Sequence, residues 1–84
     1  MFINIGFGNF VSEKKIVSVL NADSSPIKRL VRTSKDNNSL IDATCGRKTQ
    51  SVIITDCDHV ILSALSSEVI YSKLENGERD GVRS

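Results

Sequence analysis

Apolar and polar residues alternate over Phe2 to Phe7, with Phe2, Asn4 and Gly6 on one side and Ile3, Ile5 and Phe7 on the other, which predicts an opening strand. Gly8-Asn9 closes it with a turn. A second strand is predicted from Lys15 to Leu20, where β-branched residues dominate and Ile16, Ser18 and Leu20 oppose Lys15, Val17 and Val19. The period then changes. Asp23-Ser24-Ser25-Pro26 carries the signals of a helix start, because Ser24 or Ser25 can cap free amides and proline suits the first turn. Ile27, Leu30 and Val31 share one face of that helix, Lys28, Arg29, Arg32 and Lys35 lie on the other, and Asp36-Asn37-Asn38 ends it.

Leu40 to Thr44 and Gln50 to Thr55 are expected to pair across a turn at Cys45 to Lys48, and the second of these to pair again with His59 to Ala64, giving a three-stranded meander. Val52-Ile53-Ile54 and Val60-Ile61-Leu62 are apolar on both strand faces, the pattern of a sheet covered on both sides. One helix covers one face, and a neighbouring subunit is expected on the other. Ser66 or Ser67 caps a last helix through Leu74, and 76–84 reads as a polar, disordered tail. The chain is thus expected to be one α+β domain over 1–75, with a mostly antiparallel sheet of about five strands and two short helices.

Length sharpens the expectation of assembly. A chain of 84 residues buries only about 60–65% of the surface its unfolded form exposes, so its own core is thin. Cys45 and Cys57 are too few for a disulfide framework. There is no charged leader before an apolar stretch and no apolar run near the roughly 18 residues of a membrane span, which places the expected protein in the cytoplasm, away from membranes, with both thiols free.

Charge is balanced overall, with 11 basic and 10 acidic residues, but unevenly distributed. Between Lys14 and Lys48 eight cations face three anions, whereas from Thr49 onward three cations face six anions. Such asymmetry fits one basic and one acidic face. The most pointed element is Gly46-Arg47-Lys48, where a glycine that allows positive φ would set two cations at a hairpin tip. Arginine offers a planar fork for phosphate oxygens and lysine a mobile point charge. Each neutralised phosphate contributes a slope of only about −0.9 in log K against log salt, so a lone subunit binds weakly, whereas linked identical sites multiply.

Other chemistry is thin. His59 lacks a nucleophile to activate and is expected to be structural, fixing its turn through a flanking carboxylate. Cys57 and His59 do not have zinc-finger spacing. Gly6-Phe7-Gly8-Asn9 lacks the further glycine or Lys-Ser/Thr of a nucleotide loop and reads as a turn. The expected protein is therefore not an enzyme, needs no cofactor or metal, and takes no small-molecule substrate. Phe2, Phe7, Phe10 and Tyr71 form no evident stacking platform, which disfavours single-stranded RNA. The competing expectation is a ring-forming interaction protein whose basic turn meets an acidic protein partner.

Four segments in order resemble the RemA family of bacterial extracellular matrix regulators: Phe2-Ile-Asn-Ile-Gly-Phe-Gly-Asn9, Ser25-Pro-Ile-Lys-Arg29, Asp42-Ala-Thr44 with Gly46-Arg-Lys-Thr49, and Asp58-His-Val-Ile-Leu-Ser63. The resemblance implies a double-stranded DNA-binding regulator that activates biofilm matrix genes, a LytTR-like fold, and a homo-oligomeric ring of roughly seven or eight subunits. It also implies that Arg47 and Lys48 are the basic pair on DNA, that Lys15 is a further contact, and that Pro26 is a structural position. Lys14, Lys28 and Arg29 are expected to support them. The chain departs from the family pattern at Cys45, where histidine or tyrosine is expected, and at Gln50, where arginine is expected. The last helix also lacks the usual Gln-Pro-Glu-Thr opening.

Overall fold

The computed structural model describes the backbone of residues 1–83 and the side chains through Glu75. Six strands and two helices follow in the order β1 (Phe2–Asn4), β2 (Phe10–Ser12), a 3-10 turn at Glu13–Lys15, β3 (Ile16–Asn21), α1 (Ser25–Asp36), β4 (Leu40–Asp42), β5 (Ser51–Thr55), β6 (Val60–Ser63) and α2 (Ser67–Arg83). The α+β class is as expected, but the strands number six and divide into a two-stranded ribbon, β1-β2, and a four-stranded sheet in the order β3-β5-β6-β4.

The opening strand stops three residues short of the alternation that predicted it. The Asn4 side chain accepts a hydrogen bond from the Gly6 amide at 2.8 Å, and Gly6, Phe7 and Gly8 then take φ values of +114°, +55° and +77°. No extended strand passes through three left-handed residues. The chain instead returns as β2, pairing Phe2 with Ser12 and Asn4 with Phe10. Phe7 is consequently turned away from Ile3 and Ile5 into solvent, at 52% exposure.

The meander is also different. β5 and β6 form the expected hairpin, but β4 pairs with β6, in parallel, and not with β5. The free side of β5 is taken by β3, which runs antiparallel with Val19 opposite Ile53. The doubly apolar strands therefore occupy the two central positions, and the more amphipathic β3 and β4 form the edges. The chain between β4 and β5 crosses the end of β6, where the Ala43 amide donates to Leu62 O and the Gln50 amide to Ser63 O. Residues 43–50 are thus a crossover loop, not a hairpin tip.

Both faces of β5 and β6 are covered within the chain. Ile53 and Ile61 point to one side, where Ile3, Ile5 and Ile70 join them from the ribbon and α2. Val52, Val60 and Leu62 point to the other and meet Ile27 and Val31 of α1. The expected neighbouring subunit is not needed as a cover, because the ribbon and α2 fill its place. α1 begins as predicted: the Ser24 hydroxyl accepts from the Ile27 amide at 3.4 Å and Pro26 sits in the first turn. Ser66 similarly accepts from the Val69 amide at 3.2 Å at the start of α2, which runs beyond the Leu74 end predicted from apolar spacing. The side chains after Glu75 lie outside the described residues, and the backbone of 76–83, expected in a polar tail, belongs to α2. Among the described residues no helix is long and apolar enough to cross a membrane.

Candidate nucleic-acid interface

Residues 43–50 are irregular in backbone but anchored at several points. The Asp42 carboxylate accepts from the Thr44 hydroxyl at 2.6 Å and from the Thr44 amide at 2.9 Å, an Asx turn that starts the loop. The Arg47 amide then donates to Thr44 O at 3.0 Å. Cys45 and Gly46 reverse the chain with φ of +52° and +81°, so Gly46 serves the turn that its sequence position indicated. Arg47 and Lys48 follow, both exposed, and neither makes an ion pair among the described residues.

The Thr44 hydrogen bonds hold the Asp42 carboxyl below its ordinary value of 3.8, the side-chain bond contributing most. A carboxyl whose folded value is depressed stabilises the fold fully above the unfolded value and loses that contribution as pH falls through the folded one. Asp42→Asn keeps an acceptor but removes the charge. Its melting temperature is expected to lie below that of the parent at neutral pH, with the gap closing as pH falls below 3.8. A gap that persists unchanged in acid would show that the carboxylate charge is not what secures the loop.

The predicted cations divide between the two ends of the sheet. Lys48 and Lys28 line one hollow of about 400 Å³, floored by Val31, Val52 and Leu62 and also bordered by Asp23. Along α1, Lys28, Arg29 and Arg32 border a shallower groove with Ser25. Arg47, Lys48, Lys28 and Arg29 can therefore present charge from one end of the molecule. Lys14 and Lys15 stand at the other end of β5, about 13 Å away for a five-residue strand. Lys15 O accepts there from the Asp56 amide, and Lys15 Nζ lies 3.7 Å from Asp56 Oδ2. That pair is largely exposed and contributes little to stability.

His59 acts through its main chain. The β5-β6 turn is closed by the Thr55 amide donating to His59 O at 3.1 Å and the His59 amide donating to the Thr55 hydroxyl at 3.2 Å. The imidazole makes no hydrogen bond to a flanking carboxylate among the described residues; Thr55 does what was expected of it. Cys57 Sγ lies 3.2 Å from Asp56 Oδ1, and that hydrogen bond and negative charge push the thiol up, away from the thiolate that nucleophilic chemistry requires. No group of three metal-ligating side chains is assembled among the described residues.

Phe7 joins the site as well. The Arg47 guanidinium carbon stands 5.9 Å from the centroid of the Phe7 ring, within cation–π range. The signal in the sequence is an aromatic residue between two glycines, which alternation groups with Ile3 and Ile5 on one side of a strand.

Comparison with known proteins places these features in a family. The family model for extracellular matrix regulatory protein A-like sequences matches residues 2–74. A regulatory protein of Shouchella clausii is 54% identical over 80 residues, covering 95% of this chain and 91% of its own length. A similarly named protein of Oceanobacillus iheyensis is 56% identical over 72 residues, covering 86% and 84% respectively. In Moorella thermoacetica the match is 51% over 76 residues, with coverages of 90% and 84%. The names of all three describe regulatory proteins.

Proposed function

The chain belongs to the RemA-like family of regulatory proteins, and on that premise we propose that it is a DNA-binding transcriptional regulator acting as a homo-oligomeric ring and activating biofilm matrix genes. The observation that carries this reading is the anchored loop with two exposed cations, Arg47 and Lys48, that make no ion pair among the described residues, Lys48 sharing a hollow with Lys28. Phosphate contacts of this kind position a protein on the duplex without reading its sequence. Selectivity then follows from the phasing of sites around the ring and from the ease with which a given DNA bends. Lys28 and Arg29 support the loop, while Lys14 and Lys15 engage the duplex from the opposite end of β5. Pro26 keeps the start of α1, and so Lys28, in place.

Assembly is supported by exposed apolar side chains on both flanks of the sheet. Phe2 and Phe10 stand 71% and 62% exposed on the outer face of the ribbon, Val17 is exposed on edge strand β3, and Ile41 on the opposite edge strand β4. Two unlike apolar edges suit a head-to-tail contact, which closes into a ring when the rotation between neighbours divides a full turn.

The test is a titration of fluorescent duplex DNA at several salt concentrations, with light scattering giving the assembled mass in the same samples. A multi-subunit mass and a log–log salt slope much steeper than about −2, from −0.9 per phosphate, are expected when several subunits engage at once. An intact oligomer without affinity for duplex DNA at low salt would remove the DNA reading and favour an acidic protein partner.

A further inference from the structure

Phe7 combines two costs without the benefit that usually offsets them. It holds φ of +55°, a conformation that large side chains avoid, and it leaves a phenyl ring 52% exposed instead of buried. Four non-glycine residues among those described have positive φ, and two of them, Asn38 and Asp58, are types that tolerate it. The other two, Phe7 and Cys45, flank the same cation. Strain collected in this way marks sites where the surrounding structure imposes a conformation for use.

The loop that imposes it is well fastened. The Ile5 amide donates to Asn9 O at 2.8 Å, the Asn9 side-chain amide donates to Gly6 O at 3.0 Å, and the buried Ser63 hydroxyl donates to Ile5 O at 2.7 Å. Ser63 O also receives the Gln50 amide, so one residue of β6 ties the Phe7 loop and the Arg47 loop together. The backbone that carries Phe7 is thereby fixed, and the ring centroid stands 5.9 Å from the Arg47 guanidinium carbon.

We propose that Phe7 is a positioning residue for Arg47, its ring face holding the guanidinium so that the in-plane N–H donors stay free for a phosphate. Stacking occupies the π-face of the guanidinium and leaves its hydrogen-bonding edge open, so the fork meets its anion with less rotamer freedom to lose. Phe7, Arg47, Lys48 and Gln50 border a common hollow of about 540 Å³, so both cations and the ring share one surface. The inference deepens the DNA-binding reading and rests on it.

The experiment uses the full-length protein in its assembled form, with Phe7→Leu, Phe7→Tyr, Phe7→Gly and Arg47→Ala compared by duplex titration over a series of salt concentrations and by thermal melting. Phe7→Leu is expected to weaken binding by roughly two- to fivefold for each engaged tip, with the salt slope unchanged because no charge is lost. Phe7→Tyr restores binding. Phe7→Gly binds as poorly as Phe7→Leu yet melts at the same temperature or higher, since glycine accepts positive φ freely. Parental affinity in Phe7→Leu beside a weakened Arg47→Ala would overturn the positioning role alone. So would a parallel loss of melting temperature and affinity in Phe7→Gly, which marks a purely structural residue. If Arg47→Ala itself binds like the parent, the phosphate reading fails and the role of Phe7 fails with it.

Discussion

Protein carrying both Arg47→Ala and Lys48→Ala is expected to lose affinity for duplex DNA by about thirty- to a thousandfold while retaining its assembled mass. The two exposed cations of one loop together contribute about 0.5–1 kcal/mol, and about four loops engaged at once bring the loss to about 2–4 kcal/mol. The salt slope falls with it, by about 0.9 for each phosphate contact removed. Folding is expected to survive, because the loop is held by Asp42, Thr44, Leu62 and Ser63, and the Arg47 amide bond to Thr44 O belongs to the backbone. Lys14→Ala, altered at the far end of β5, is the instructive comparison. A loss as large as that of the double variant would mean that the duplex tracks along the whole sheet and is not gripped chiefly at the loop end. A collapse of mass together with affinity would mean that the two cations serve assembly, contrary to the division of roles proposed above.

Ile53→Ala is expected to be the most damaging single core truncation, lowering stability by about 2–5 kcal/mol. Ile53 lies on the central strand β5, is 0% exposed, and meets Ile3, Ile5, Ile61 and Ile70. A chain of this length is stabilised by only about 4–13 kcal/mol, at roughly 0.05–0.15 kcal/mol per residue. Ile54→Ala, at a half-buried position on the other face of the same strand, should cost less. Urea unfolding at a fixed protomer concentration reads both, since assembly makes the midpoint concentration-dependent. Equal midpoints for the two variants would count against the ribbon and α2 as the better-packed cover.

Several elements were readable because local chemistry acts alone there. The Ser24 cap, Pro26 in the first turn and the spacing of Ile27, Leu30 and Val31 define α1, and the structure keeps each of them. The β5-β6 hairpin was equally legible, its apolar runs meeting across a four-residue connection. Where residues of different segments compete, the pattern fell short. Alternation carried the first strand through Phe7 because periodicity is blind to φ, and it took double apolarity as a sign of a neighbouring subunit because it could not see that the ribbon folds back as a cover. Pairing β4 with β5 followed from adjacency in sequence. β3 won that place, and β4 was left the outer side of β6.

The chemistry of the candidate site was legible in residue types alone: two adjacent cations after a glycine, a basic helix face, and motifs that identify the family. These are properties of residue type and short spacing, which the chain carries whatever its fold. Which cations share an end of the molecule, the placing of Arg47 and Lys48 on a crossover loop, and the approach of Phe7 to the guanidinium all come from the packed fold. Those relations depend on strand order and on the buried Ser63, which joins segments 58 residues apart through its bond to Ile5. Long-range pairing is a competition among all segments for the two sides of each central strand, and that competition is resolved only by burying the whole chain at once.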